Sequence, residues 1–219
     1  MAEQRVAIIV GSTGLIGSLL LSELSHFDII RAISRKSIQG LSQNIQNTVV
    51  NFQNSDELKS ALVGTDLFFC LGTTLKTAGS KEKFIEIEWE LSKRILEIAA
   101  RNGVENLYLI SSMGADAKSA ILYSKIKGQI ENLVKDLGFK SVTILRPSLL
   151  LGNRHEHRAV EAIAQSVLKP IGFLFKGPLL KYRAIDAQLV AQRLAEKSLS
   201  PSRGVRIFEN DQLFEGFKS

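Results

Sequence analysis

The sequence is short of the residues and runs that would place it outside the ordinary globular classes. One cysteine, Cys70, in 219 residues rules out an internal disulfide and leaves a metal cluster without sulfur ligands, so a thiol inside an apolar strand is expected. No stretch reaches about eighteen uninterrupted apolar residues, the length a membrane-spanning helix needs, so no membrane-embedded part is expected. The start, Met-Ala-Glu-Gln-Arg, runs straight into a first strand without a signal-peptide pattern, and a cytoplasmic protein is expected. The formal net charge is +6, but the basic residues are spread along the chain and form no stripe interleaved with aromatics. That distribution argues against nucleic acid as the ligand and is compatible with a polyanionic small molecule. Repeats and low-complexity linkers are missing too, so 45% hydrophobic and 23% charged residues over this length read as a single domain, 1–219.

What is present is concentrated near the N-terminus, in Val6-Ala-Ile-Ile-Val-Gly11-Ser-Thr-Gly14-Leu-Ile-Gly17. A short run of β-branched and small apolar residues suits a strand buried on both faces, and glycine then recurs at every third position where a helix should begin. Gly11 permits the tight turn, Gly14 lets a pyrophosphate approach the backbone, and Gly17 lets the helix lie against the sheet. Phosphates would sit on amide N–H groups at the helix N-terminus, where the helix dipole favours negative charge. The spacing is GxxGxxG, and the same turn also serves plain close packing.

Further along, Leu15 to Leu24 has helical spacing and Ile29 to Ser34 reads as a second strand. A carboxylate is missing at its end, where an NAD-selective site places Asp or Glu on the ribose hydroxyls. Arg35 and Lys36 stand there, which favours the 2′-phosphate of NADP(H), although a solvated basic loop would look the same. Thr48 to Asn51 reads as a third strand, Ser55 as the N-cap of a helix, and Leu67 to Leu71 as a buried fourth strand. Gly72 and Thr73 at its carboxyl end are candidates to pass the nicotinamide half of the cofactor. A long amphipathic helix from about Glu82 to Arg101 puts Phe84, Ile87, Leu91, Ile95, Ile98 and Ala99 on one face, with Trp89 filling a gap, and Leu107 to Ser112 is the fifth strand. This alternation predicts a parallel sheet covered on both faces.

Eleven residues after Ser112 comes Tyr123-Ser-Lys-Ile-Lys127. Four residues apart in a helix, a tyrosine and a lysine share a face, so the ammonium can stabilise the phenolate and bind a ribose hydroxyl. Such a phenol can give a proton to a carbonyl oxygen, with a serine at the neighbouring strand end holding that oxygen. The ordered set GSTGLIG, Ser34-Arg-Lys, FFCLGTT, LISSMGAD, LYSKIKG and LRPSLLLGNR, over about residues 6–158, resembles the short-chain dehydrogenase/reductases and, among them, the atypical oxidoreductases of the Tat-interacting-protein type. The resemblance implies an α/β, three-layer, doubly wound Rossmann fold with a mainly parallel sheet and a small C-terminal substrate-side extension. It also implies a catalytic centre of Ser112, Tyr123 and Lys127, with Ser111 the less suitable serine. The family's cofactor contacts carry onto Thr13, Gly14, Leu15 and Ile16, onto Arg35 and Lys36, onto Leu71 and Gly72, and onto Leu150 and Arg158. Asn51 departs from the pattern, because many relatives have Asp near the adenine.

Past the sixth strand, Ser141 to Leu145, the run Asn153-Arg-His-Glu-His-Arg158 is open to three readings: a solvated polar loop, a frame for an acidic substrate, or, with no third ligand at suitable spacing, a metal pair that is set aside. Residues 159–169 read as a helix, and 151–185 as a lid or substrate-side segment. His26 reads as ordinary surface, Asp186 starts a last long helix, and Gly204 to Glu209 is the last strand. The resulting expectation is an NADP(H)-dependent oxidoreductase acting on a small carbonyl or alcohol, as a monomer or homodimer. Two other readings stand beside it: an NADPH-binding redox sensor or scaffold facing a protein partner, and a nucleotide-sugar epimerase or dehydratase, for which the chain is short.

Overall fold

The computed structural model describes residues 4–152 and 177–215. Its organising layer is a seven-stranded, wholly parallel sheet: β1 (Val6–Val10), β2 (Ile29–Ser34), β3 (Ile45–Val49), β4 (Asp66–Phe69), β5 (Asn106–Ile110), β6 (Ser141–Arg146) and β9 (Gly204–Glu209). Spatial order is β3-β2-β1-β4-β5-β6-β9, so the winding reverses between β1 and β4. Ligands of such sheets bind outside the carboxyl ends of the strands at that reversal. A second, two-stranded parallel pair joins β7 (Leu150–Leu151) to β8 (Ile185–Asp186).

Alternation along the strands divides the core. Ile8, Val10, Leu67, Phe69, Leu107 and Leu109 face one side, where they meet α2 (Ser55–Ala61), α5 (Ser92–Arg101) and α6 (Leu122–Asp136) through Leu58, Ile95, Leu96, Ile126 and Ile130. Ala7, Ile9, Phe68 and Tyr108 face the other, against α1 (Leu15–Glu23), α7 (Ala187–Leu199) and α8 (Asn210–Phe214) through Ile16, Leu20, Val190, Leu194 and Leu213. Each fully buried aliphatic side chain contributes about 1.5–3 kcal/mol, so the two layers fix the sheet between them.

Local chemistry sets the ends. Asn54, not Ser55, is the N-cap of α2, its Oδ1 accepting from the N–H groups of Asp56 and Glu57. Asp186 caps α7 by accepting from Gln188 N–H at 2.8 Å. The third strand lies at Ile45–Val49, earlier than the apolar run suggests, because register with β2 and not hydrophobicity selects Gln46 and Asn47. The expected helix from about Glu82 to Arg101 runs as α4 (Lys81–Ile85), a π-helical stretch Glu86–Leu91, and α5 without a break, and a short α3 (Leu75–Ala78) precedes it. The π turn rotates the inward face: Phe84, Glu88, Ser92 and Ile95 are buried, while Ile87 and Leu91 are only half-buried. Ser92 Oγ follows the wider turn, donating to the Ile87 carbonyl five residues back at 3.2 Å.

The amino end of the sheet is closed by a polar hub. Buried Asp66 accepts from Arg5 (2.9 Å), Asn106 (3.1 Å), Tyr108 (3.2 Å) and Thr65 (2.7 Å). The Arg5 guanidinium stacks 4.4 Å from the Phe27 ring. His26 is not free surface as expected: its Nε2 is 2.9 Å from Ser198 Oγ, and burial followed by the Arg5 charge holds its pKa below the ordinary value.

Candidate active site

At the top of β1 the chain turns back on itself through Gly11 at φ +84°, with Gly14 N–H donating to Gly11 O at 2.9 Å. A Cβ on Gly11 would stand 2.7 Å from the Cys70 carbonyl, and one on Gly17 only 2.1 Å from Gly11 O, so both positions are cradles that a side chain would fill. Ser12, buried, donates to Ile33 O at 2.8 Å and ties the turn to β2. Helix α1 opens at Gly14 with no side-chain cap and no acidic residue in its first turn, unlike the capped α2 and α7. Its leading amides other than that of Gly14 therefore present the positive end of the dipole to the crevice, worth about 0.3–1 kcal/mol to an anion in an exposed setting. The residues present fit the pyrophosphate of a dinucleotide.

Arg35 and Lys36 follow β2, both exposed, and among the described residues neither has an acidic partner. Their loop is held from β3. Asn47 Nδ2 donates to Ala32 O and to Ser34 Oγ at 2.8 Å each, and its Oδ1 accepts from Ile38 N–H at 2.8 Å. Ser34 Oγ in turn donates to the Lys36 carbonyl at 2.6 Å. Two cations on a pinned loop at the end of β2, next to the strand that leads into the glycine turn, have the chemistry to receive a phosphate.

Across the reversal, β4 leads into Cys70, Leu71, Gly72 and Thr73. The Cys70 thiol is pushed up to about 12 by burial, against a partial offset from the Lys127 ammonium, so it stays neutral. Gly72 passes over a charged pair: a Cβ there would lie 3.4 Å from Glu88 Oε1 and 3.7 Å from Lys127 Nζ. Lys127 Nζ is 3.0 Å from Glu88 Oε2, with the two side chains 7% and 1% exposed. Glu88 Oε1 also accepts the Thr73 backbone N–H. Burial pulls the Lys127 pKa down, but Glu88 first and Tyr123 next pull it up, and the net direction is up. The ammonium also sits 5.7 Å from the centre of the Tyr123 ring, which is tilted 6.2 Å from Phe84.

The two serines after β5 are separated by their partners. Ser111 Oγ donates to Glu131 Oε1 at 2.5 Å, and Glu131 is clamped by Arg146 at 3.0 and 2.6 Å, which also reaches Glu209 at 2.7 Å. Ser112 Oγ is buried with no hydrogen-bond partner among the described residues. A buried hydroxyl left unpaired costs about 1–3 kcal/mol and is a candidate for a bond made only to a ligand. The loop carrying it lies close over α6: Met113 N–H donates to Pro147 O, and Asp116 N–H to Ser124 O. Gly128 makes this approach possible, since a Cβ there would meet Ala117 N at 2.2 Å.

The expected residues thus form two groups on one sheet edge. Gly11, Thr13, Gly14, Leu15, Ile16 and Gly17 build the turn; Leu71, Gly72, Thr73, Tyr123 and Lys127 line the far side of the reversal. Leu150, in β7, belongs with Leu15 to the α1-side core. Arg158, the 153–158 loop, the helix expected at 159–169 and residues 171–176 lie outside the described residues. Sequence reasoning missed Glu88, Asn47 and Gly128. Only Gly128 left a signal, a glycine inside a helical pattern.

A family model described as NAD(P)H-binding matches residues 11–169. Protein HTATIP2 of Rattus norvegicus is 31% identical over 216 residues, 95% of this chain and 87% of that protein. Protein FMP52, mitochondrial, of Debaryomyces hansenii is 31% identical over 209 residues, 90% of this chain and 91% of that one. Among solved structures, MoeE5 in complex with UDP-glucuronic acid and NAD superposes with a TM-score of 0.70 at 15% identity, over 93% of this chain and 75% of that one, a likeness of fold. The fungal names correct one expectation: several of these relatives are called mitochondrial, so the cytoplasmic reading does not stand. It rested on the lack of a secretory pattern, which does not choose between the compartments a non-secreted protein can occupy.

Proposed function

The chain belongs to the NAD(P)H-binding short-chain dehydrogenase/reductase family that takes in HTATIP2 and the FMP52 proteins, and on that premise we propose that it is an NADP(H)-dependent oxidoreductase of small carbonyl or alcohol substrates. The observation that carries this is an uncapped glycine turn at the sheet reversal facing, across it, a buried lysine that lies under Gly72 and beside a tyrosine ring; the unpaired Ser112 hydroxyl at the end of the next strand supports it. We take the chain, residues 1–219, as one domain.

In this reading the Gly11–Gly17 turn and the α1 amides hold the pyrophosphate, Arg35 and Lys36 the 2′-phosphate, and Leu71 to Thr73 flank the nicotinamide. The bound dinucleotide supplies or accepts the hydride. Tyr123 gives its phenolic proton to the substrate oxygen, Ser112 donates a hydrogen bond to the same oxygen, and Lys127 fixes the ribose and steadies the phenol. Arg158 and Leu150 are assigned to the cofactor on the family's pattern alone.

The test is calorimetric titration of the purified protein with NADPH and with NADH, with Arg35→Ala beside it. NADPH should bind at least about tenfold more tightly, as expected for one charge-assisted contact, and the preference should vanish in the variant. Equal affinities in the unaltered protein would remove the 2′-phosphate assignment, and no binding of either would remove the cofactor site. Tyr123→Phe should then lower turnover by about 10²–10⁴ with NADPH affinity retained.

A further inference from the structure

Glu88 is the least expected residue of the site. A carboxylate with 1% of its side chain exposed stands at a helix position that the surrounding pattern would give to an apolar residue, and the π-helical turn is what points it inward. Burying an ion pair is a poor source of stability, because desolvation consumes most of the attraction. π turns inside helices recur at functional positions. The partners chosen by this carboxylate are the Lys127 ammonium and the N–H of Thr73, one residue past the glycine that covers both charges.

Lys127 has three donors. Contact with Glu88 leaves others for ribose hydroxyls, so the pair orients the lysine without consuming it. The charge balance is the larger effect. The groups facing Lys127 are Glu88 from the π turn, Tyr123 and Glu131 from α6, and the Cys70 thiol beyond β4. Glu131 is already clamped by Arg146 and Ser111, and the thiol is neutral. Phe84, against the Tyr123 ring, is uncharged. Glu88 is therefore the carboxylate whose one charged partner among the described residues is Lys127. An ammonium by itself draws the proton off a neighbouring phenol, and a carboxylate bound to that ammonium returns much of the effect.

We infer that Glu88 is a positioning residue that balances the charge of Lys127, so that Tyr123 keeps its proton and the centre is set to reduce a carbonyl in preference to oxidising an alcohol. This rests on Tyr123 being the acid of the site. In the favoured direction the carbonyl carbon gains two electrons and a hydrogen from the reduced dinucleotide, which becomes oxidised. The carbonyl oxygen gains the Tyr123 proton and the product is an alcohol. Lys127 and Glu88 keep their charges throughout.

The chain contains three tyrosines, Tyr108, Tyr123 and Tyr182, so ¹³Cζ-tyrosine labelling gives three resonances, with Tyr123 assigned by Tyr123→Phe. Titrating the full chain, with neither cofactor nor substrate, reads the Tyr123 proton directly. In Glu88→Gln the Tyr123 transition should fall by about one pH unit, the size expected of an unbalanced charge about 6 Å away at an effective dielectric of about 20, allowing for screening. Tyr108, held protonated by burial and by Asp66, should not move. A Glu88→Gln transition equal to or above the unaltered one overturns the inference. Should that variant not fold, the Glu88→Gln, Lys127→Met double variant has no unpaired charge to bury. Its Tyr123 transition should stay within about half a unit of the unaltered protein, and a rise of about one unit or more would show the lysine acting unbalanced. Loss of NADPH binding would sink the cofactor assignment without touching this result, and an unmoved resonance would sink the inference without touching the cofactor.

Discussion

Gly128→Ala sets two ordinary effects against each other, and the structure decides which one wins. In an exposed helix interior, alanine is better than glycine by about 1 kcal/mol, so on propensity alone the variant is more stable. At Gly128 the new methyl would stand 2.2 Å from Ala117 N, 2.4 Å from Asp116 C and 2.7 Å from Asp116 Cα. These are backbone atoms, so no side-chain rotation relieves the overlap; the loop from Ser112 to Ala117 has to move off α6 by about 1 Å. Overpacking of this kind costs about 1–3 kcal/mol, and contact with backbone puts it at the upper end. Net destabilisation should be about 2 kcal/mol, a fall in Tm of about 4–8 °C for a domain of this size. Calorimetry with urea unfolding beside it gives both quantities, and an unchanged m-value shows that stability, not the surface exposed on unfolding, is what altered. NADPH affinity should change little, because the glycine turn is on another strand, while turnover should drop about 100-fold as Ser112 is displaced. A variant more stable than the parent would refute the reasoning, since it would mean that loop and helix are not in contact.

Three further outcomes are expected. Gly17→Ala forces a methyl to within 2.1 Å of Gly11 O and should abolish NADPH binding followed by nicotinamide fluorescence; retained micromolar affinity would contradict the cradle. Asp66→Ala leaves Arg5, Asn106 and Tyr108 without their shared acceptor and should cost about 3–5 kcal/mol in urea unfolding, whereas a loss below about 1 kcal/mol would show the hub to be dispensable. His26 has a folded pKa below its ordinary 6.5, so protons favour the unfolded chain. Its contribution is complete above about pH 6.5 and is lost as pH falls through that value toward the folded one, so His26→Gln should narrow the stability gap between pH 7.5 and pH 5.5, and an unaltered gap would assign the acid sensitivity elsewhere.

Much of the fold was legible because parallel strands buried on both faces leave dense apolar runs. β2 and β9 have the bounds read from sequence, and the glycine spacing marks the turn that follows β1. The edge strand β3 was misplaced because one of its faces is wet and Gln46 and Asn47 dilute the signal; pairing with β2 supplies what composition lacks. Glu88 was illegible for a different reason. A helical wheel assumes 3.6 residues per turn, and one π turn moves the wheel by most of a residue, turning an acid inward where Ile87 or Leu91 was expected. Asn47 and the choice between Ser111 and Ser112 depend on side-chain partners distant in sequence, such as Glu131 twenty residues beyond Ser111, which periodicity cannot see.

The place of β9 also bears on how the molecule is made. Its partner β6 is buried along Ser141 to Leu145, yet among the described residues its outer hydrogen-bonding edge is paired by Gly204 to Glu209 alone. During synthesis β6 therefore precedes this partner by more than the length of a typical helical hairpin, and an unpaired strand edge is the kind of surface on which nascent chains join one another. Glu209 reaches Arg146 across 63 residues in the same closing event. β9 thus both pairs the outer edge of β6 and completes the charge network behind Ser111, and a chain halted before Gly204 should be found in aggregates or on chaperones, not as a smaller working version of the protein.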